Sequence, residues 1–373
     1  MVFVRKSVGK RVGNVIVGTV FGFLLSFAAV VLLAWNERDA VRQTGAITEM
    51  ERVAMADVSA ERIEPANQGK LIHAAHTAET EEVLEFAEFG IRENAIRLRW
   101  ESWIYQWTED RRERDNHTEY TYTKEWVSEP VNSSHFHEAG HSNDGSQQHF
   151  HDGSQLAQQV AFGEFQLSSG LIKQIRNERD YPLSETQASQ VEPVGRIHNG
   201  DFYTGDPNAP QIGDERVEVF MIDPRQEVTV MAEQHESTFR PYQTRVGIAK
   251  EILYMGLLSK EQVIAQQRTE AAIKRWFLRA GGFIGMWIGL CLIMGPVRAV
   301  LSFIPFVGKL LEGAIVFVAF LVAAVISLVT IAIAWFVVRP LLSGVLLAMA
   351  IGAAIWLYRQ KSSGQDVVSA AAV

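Results

Sequence analysis

VGNVIVGTVFGFLLSFAAVVLLAW, residues 12–35, decides the fold, because no position in this segment carries a charge. About 20 apolar residues are enough for a helix to cross the hydrocarbon core of a bilayer. A cleaved secretory signal has a shorter apolar region and ends at small residues, whereas this segment ends in Trp35, Asn36, Glu37 and Arg38. We therefore predict an uncleaved signal anchor that spans the membrane.

Three further apolar segments lie near the C-terminal end of the chain, at residues 280–295, 313–338 and 341–358. The first continues a helical pattern for which Ser259 is a good N-cap, so its span is expected to begin near Trp276. Arg339 and Pro340 leave room only for a tight helical hairpin between the last two segments. The sequence thus predicts four transmembrane helices.

Basic residues near short loops indicate the orientation of these helices. Clusters precede the first span, separate the second from the third and follow the fourth: Arg5, Lys6, Lys10, Arg11, Arg298, Lys309, Arg359 and Lys361. In a four-span arrangement all of them fall on one side, so both termini are predicted to be cytoplasmic. Lys274, Arg275 and Arg279 fall on the opposite side, beside a long translocated region where the rule is weak.

The fold class expected is an α+β membrane protein in which a large β-rich luminal or periplasmic domain is inserted between helices 1 and 2. The predicted division is as follows: residues 1–35, cytoplasmic N-terminus and first span; 36–258, β-rich domain; 259–295, connecting helix and second span; 296–312, cytoplasmic connector; 313–338, third span; 339–358, fourth span with its preceding turn; 359–373, cytoplasmic tail.

Two strand pairs are predicted inside the polar domain. Residues 96–107 and 119–127 alternate in polarity around the charged stretch 109–117, which is typical of a β-hairpin with a long loop. Residues 215–222 and 227–233 are separated by Asp223, Pro224, Arg225 and Gln226, which is turn chemistry and predicts a second hairpin.

Composition excludes several classes of site. Cys291 is the one cysteine and lies in an apolar segment, so no intramolecular disulfide can form. The net charge of −8 argues against nucleic acid as a partner, because phosphate binding requires a basic face. No charge lies in the middle of a predicted span, which gives little support to a channel or transporter.

One motif resembles a catalytic site. His137, Glu138 and His141 match the H-E-x-x-H pattern of zinc proteases, in which two histidines one helical turn apart bind zinc and the glutamate activates water. Turn and loop formers flank the motif on both sides, so the helix that this chemistry requires is not predicted. The alternative is a loop-borne metal site that also uses neighbouring side chains: His135, His149, His151 and Asp152.

Short motifs along most of the chain resemble the transmembrane protein 43 family, also called LUMA, which has bacterial and eukaryotic members. They are Asn36-Glu37, Gly69-Lys70-Leu71-Ile72-His73, Tyr105-Gln106-Trp107, Tyr122-Thr123-Lys124-Glu125-Trp126 with Ser128-Glu129, Gly140-His141, Leu167-Ser168-Ser169-Gly170-Leu171-Ile172, Gly200-Asp201-Phe202, Gly213-Asp214-Arg216-Val217, and Trp335 with Arg339-Pro340-Leu341. Each motif is weak by itself, and their order along the chain carries the resemblance.

The resemblance implies a four-span protein, in eukaryotes of the endoplasmic reticulum and inner nuclear membrane, that self-associates and organises membrane protein complexes. It brings no enzymatic activity, no cofactor and no catalytic residues. In the family pattern Gly140-His141 recurs whereas His135, His137 and Glu138 do not, so the zinc-like motif departs from it. Tyr105-Gln106-Trp107 and Trp126 are expected on buried sides of a sheet.

The leading hypothesis is therefore a multi-pass membrane scaffold whose partners are the lipid bilayer, further copies of the chain and other membrane proteins. Its membrane is the inner membrane if the source is bacterial. A zinc-dependent membrane hydrolase and a channel-like protein are the alternatives. No catalytic residue or cofactor site is predicted, and the candidate metal ligands are His137, His141, His149 and His151.

Overall fold

The computed structural model describes residues 2–5, 8–114, 117–301 and 307–338 of the chain. Contacts divide these residues into two units. The β-rich unit comprises residues 2–5 and Thr48–Gln266, and the helical unit comprises Val8–Ile47 with the described residues from Gln267 onward. The division confirms an α+β chain with a large β-rich domain. The predicted boundaries relative to the membrane, including residues 36–258 for the domain, stay predictions.

Three of the helices are long enough and apolar enough to cross a membrane, among the described residues. The helices are α1 Val8–Val53, α2 Ser169–Ile172, α3 Glu185–Ala188, α4 Lys260–Ile293, α5 Gly295–Leu301 and α6 Val307–Val338. The three candidate spans lie in α1, α4 and α6, where the sequence predicts the first three transmembrane helices. The fourth predicted span, residues 341–358, lies outside the described residues.

The helix α4 begins as the sequence predicts. The side-chain Oγ of Ser259 accepts a hydrogen bond from Gln262 N at 3.3 Å, and Ser259 N donates to the Gln262 side chain at 2.8 Å. This reciprocal pair satisfies backbone groups that the first turn of a helix leaves without partners. The helix then runs without interruption from Lys260 into its apolar segment.

Eight strands form the first sheet within the described residues. They are β1 Val2–Arg5, β5 Arg97–Arg114, β6 His117–Val127, β7 Gly153–Leu156, β10 Arg179–Asp180, β11 Arg196–His198, β12 Asp201–Tyr203 and β13 Glu215–Ile222. The order is β1-β6-β5-β13-β12-β11, with β7 beside β5 and β10 beside β13. A core that includes Phe89, Phe150 and Phe202 packs against this sheet.

Six strands form the second sheet in the same part of the chain. They are β2 Leu71–Glu79, β8 Ala161–Phe162, β9 Phe165–Gln166, β14 Arg225–His235, β15 Thr238–Arg240 and β18 Ile252–Met255. Pairing of β15 with both β9 and β14 closes β2, β8, β9, β15 and β14 into a ring. Its core includes Phe162, Phe165 and Val230. Two ribbons complete the unit: β3 Val83–Phe86 with β4 Ile91–Asn94, and β16 Tyr242–Gln243 with β17 Ala249–Lys250.

The first predicted hairpin is confirmed, but its long loop is wrong. Strands β5 and β6 continue through the charged stretch, with Glu109 opposite Tyr122 and Arg111 opposite Tyr120. Glu109 and Arg111 thus each face a tyrosine, and cross-strand contacts between side chains stabilise a sheet.

The second predicted hairpin is wrong. Although β13 and β14 follow one another in the chain, β13 pairs with β5 and β14 pairs with β2, in different sheets. Pro224 lies at the corner between them, and its carbonyl accepts a hydrogen bond from Thr80 N at 3.0 Å. Alternating polarity identified both strands, but the long partner strands, β5 for β13 and β2 for β14, lie more than 100 positions away in the chain.

Candidate functional site

The loop between β6 and β7, residues 128–152, contains all the predicted metal ligands. Its only helical element in the described structure is one 3-10 turn, Ser133–His135, and Gly140 and His141 follow in an irregular loop. His137 and His141 therefore do not lie one turn apart on a helix. Among the described residues, no group of three or more His, Cys, Asp or Glu side chains is arranged to hold a metal ion.

Histidines of the motif pack instead on tyrosines of β6. The His137 ring stacks on Tyr120 with 4.3 Å between the ring centroids, and the His141 ring stacks on Tyr122 at 4.0 Å. Trp107 meets the His141 ring edge to face at 4.6 Å. These ring contacts hold the motif against the β5–β6 hairpin.

Tyr122 and Glu109 form the polar centre of this cluster. The Tyr122 hydroxyl donates to Glu109 Oε2 at 2.6 Å and accepts from Glu138 N at 3.0 Å, while His137 N also donates to Glu109 at 2.6 Å. Burial and the hydrogen bond to Glu109 raise the pKa of Tyr122 to about 12. The phenol is therefore protonated near neutral pH, which suits a structural hydrogen bond and not a nucleophile.

Two amide side chains tie the loop to β5. Asn143 Oδ1 accepts from Trp107 N at 2.8 Å, and its Nδ2 donates to Trp107 O at 3.0 Å and to Val131 O at 3.1 Å. Gln106 accepts from Val131 N at 2.7 Å and donates to Ser146 Oγ at 2.6 Å. Asn143 thus satisfies the backbone groups of β5 as a neighbouring strand would.

His149 and His151, the other two candidate ligands, contact different residues. The buried Glu215 carboxylate accepts from His149 N at 3.0 Å, from Phe150 N at 2.9 Å and lies 2.6 Å from His149 Nδ1. His151 contributes its carbonyl, which accepts from Trp100 Nε1 at 3.1 Å. Sequence reasoning missed Asn143 and Glu215, because a turn asparagine and a strand glutamate look like ordinary surface residues until the path of the loop is known.

A second polar cluster lies in the helical unit, where Glu37 joins three helices. Arg279 of α4 donates to both carboxylate oxygens of Glu37, at 2.7 and 2.8 Å, and Trp335 Nε1 of α6 donates to Oε2 at 2.6 Å. Next to it, the buried Asn36 donates from Nδ2 to Arg275 O at 3.3 Å. A buried carboxylate is stable only when it is paired and hydrogen-bonded, as Glu37 is here.

Comparison with known proteins identifies the family of the chain. The family model described as transmembrane protein 43 matches residues 104–340. The chain belongs to the transmembrane protein 43 family. Relatives named transmembrane protein 43 are 30% identical over 349 residues in Homo sapiens, which is 88% of this chain and 85% of the relative, and 30% identical over 359 residues in Rattus norvegicus, 91% and 88%. A transmembrane protein 43 homolog of Drosophila melanogaster is 26% identical over 362 residues, 91% of this chain and 93% of the relative. No solved structure matches.

Several motifs that resemble the transmembrane protein 43 family supply the internal contacts just described. Asn36, Glu37 and Trp335 join the helices. Gln106 fixes the loop, and Tyr122 carries the ring of His141. The relatives' names state no activity, so membership in the family identifies a membrane protein and not a reaction.

Proposed function

We propose that the protein is a non-catalytic multi-pass scaffold that self-associates and organises membrane protein complexes. In this proposal the two termini lie in the cytoplasm, and the β-rich unit lies in the periplasm of a bacterium or in the lumen of an endomembrane. The pairing of β1 with β6 opposes this placement of the N-terminus, because it puts Val2–Arg5 beside a strand of the β-rich unit, and labelling at Ser7 decides between the two. In a eukaryotic cell the membrane is that of the endoplasmic reticulum and the inner nuclear membrane.

The observation that supports this proposal is what the motif side chains do. Glu37 and Trp335 hold helices together, and Gln106 and Tyr122 hold a loop on a hairpin. An enzyme of the hydrolase class directs such groups at a reacting atom, with a base that has access to water. Motif residues with purely internal contacts are instead expected in a protein that acts by presenting a binding surface to other proteins.

Self-association is tested on the full chain in two environments. The protein is cross-linked in native membranes at endogenous levels, and its mass is then measured after reconstitution in nanodiscs with excess empty discs. We expect one discrete oligomer in both measurements. Monomers in both would contradict the proposal that the chain self-associates.

Metal content distinguishes the scaffold from the hydrolase. Elemental analysis of the detergent-purified wild type is compared with a His137→Ala, His141→Ala double variant. We expect both to lack stoichiometric zinc, because the two rings pack on Tyr120 and Tyr122. Stoichiometric zinc in the wild type that is lost in the variant would overturn the non-catalytic proposal.

A further inference from the structure

Three tryptophans mark one level of the helical unit. Trp335 donates a hydrogen bond to Glu37, and Trp35 lies two residues before Glu37 in α1. Arg279, which pairs with Glu37, has its guanidinium 4.9 Å from the centroid of the Trp276 ring. Tryptophan is enriched at the boundary between a bilayer and water. The three rings therefore mark the membrane boundary at the end of the bundle where α1 leaves it.

An apolar face of α4 lies at the same level. Ile273, Trp276 and Phe277 follow one another at helical spacing, and their exposures are 64%, 63% and 77%. With Arg268, Thr269 and Ala272 they line a shallow groove of about 600 Å³. Large apolar side chains are rarely left open to water in a contiguous patch, so this face requires an apolar neighbour.

The same region has an excess of positive charge, although the whole chain carries −8. Residues 35–42 and 267–279 together contain six basic and three acidic side chains. Asp39 pairs with Lys274 at 3.2 Å, but Glu37 faces both its partner Arg279 and the charge of Arg275. One carboxylate opposite two guanidinium groups leaves a net positive site.

Arg275 and Arg38 present this charge. Arg38 is exposed, and the buried Arg275 Nε donates to no acceptor in the part of the chain that the structure describes. A buried donor without an acceptor is costly, and a phosphate oxygen is a strong acceptor for guanidinium.

We propose that the apolar face of α4 at Trp276 and Phe277, together with Arg38 and Arg275, binds the headgroup of an anionic phospholipid in the leaflet on the side of the β-rich unit. Arg38 and Arg275 contact the phosphate, while Trp276 and Phe277 lie against the glycerol and the first methylenes of the acyl chains. The site prefers a lipid with a net negative headgroup, so a zwitterionic lipid binds it more weakly. This inference does not depend on the scaffold role.

The test is a competition between two lipids on the full chain. The protein in detergent receives equal amounts of phosphatidylglycerol and phosphatidylcholine, and native mass spectrometry measures the ratio of the two adducts. We expect phosphatidylglycerol to be enriched in the wild type. An Arg38→Gln, Arg275→Gln double variant should lose about fivefold of this enrichment for each arginine removed. Glu37 keeps its ion pair with Arg279 in this variant.

The matched control is an Arg62→Gln, Arg225→Gln double variant, which removes two exposed arginines of the β-rich unit. It should keep the wild-type ratio. If the first variant does not elute as a folded protein, Arg38→Gln alone and the salt dependence of the wild-type ratio provide the test, since salt screens exposed charges. Equal adducts in the wild type, or enrichment that survives the arginine substitutions, would each overturn the proposal.

Discussion

Tyr122 shows how the loop and the hairpin together act on a single ionisable group. Burial and Glu109 stabilise its neutral phenol, so its folded pKa of about 12 lies above the ordinary value of 10.0. A raised folded pKa means that this contribution to stability is complete below the unfolded pKa and is lost as the pH rises through the folded value. The β-rich unit should therefore lose stability between about pH 10 and pH 12.

The change to make is Tyr122→Phe, measured by rapid alkaline titration of tyrosinate absorbance. The difference between wild type and variant isolates one tyrosine, and its midpoint is expected near pH 12. Replacing the carboxylate by Glu109→Gln should lower that midpoint, because the negative charge that opposes ionisation is gone. A difference curve centred at the ordinary value would show that Tyr122 does not bond to Glu109 in solution.

Glu37 joins α1 to α4 and α6 in the helical unit. Glu37→Gln leaves Arg279 without its counter-ion in a buried place, and breaking such a pair costs about 3 kcal/mol of stability. We expect this loss in the thermal unfolding of the helices, followed by circular dichroism in detergent. Asp39→Asn is the matched control, because the Asp39–Lys274 pair joins the same helices but is more exposed and contributes about 1 kcal/mol or less. Equal losses in the two variants would contradict the central role of Glu37.

At the scale of elements, the helices were predictable and the strand partners were not. Apolar runs such as residues 12–35 identify a span locally, because the bilayer itself is the partner. A strand such as β14 needs a partner chosen by the whole fold, and the turn residues before it were compatible with either a hairpin or a corner between sheets. In the candidate site, too, local conformation was predictable and contacts between distant residues were not. The loop conformation at His137 followed from its neighbours, whereas the hydrogen bonds of Asn143 did not.

Close packing of α1 on α4 leads to a prediction about single glycines. A Cβ atom added to Gly22 would lie 2.6 Å from Gly289 O, whereas one added to Gly18 would meet nothing within 4 Å. Gly22→Val should force the two helices apart and cost about 2 kcal/mol, since overpacking a tight interface costs this much. Gly18→Val on the same helix is the control and should leave stability unchanged. Circular dichroism in detergent measures both, and a Gly22→Val protein as stable as wild type would contradict this packing.

At the scale of the whole molecule, the helical unit limits where the chain can go after α6. Trp335 of α6 donates a hydrogen bond to Glu37 of α1, which lies two residues after the uncharged segment 12–35. Because α6 ends at Val338, three residues after Trp335, three spans would leave residue 338 on the side of the membrane toward which α1 continues after Glu37. Residues 341–358 are apolar and long enough to cross once more, and Arg359 and Lys361 follow them. A fourth span would therefore return the C-terminus to the side of the N-terminus.

Because Cys291 is the one native cysteine, single-cysteine labelling can test this arrangement directly. In a Cys291→Ser background, cysteines are placed one at a time at Ser7, Ser237 and Ser363 and exposed to a membrane-impermeant maleimide. We expect labelling of Ser237→Cys from the non-cytoplasmic side of intact membranes, and of Ser7→Cys and Ser363→Cys only after permeabilisation. Labelling of Ser363→Cys together with Ser237→Cys would mean an odd number of spans. The C-terminal apolar segment would then lie along the membrane and not through it, and the positive tail would need an anionic surface on the same side as Arg38 and Arg275.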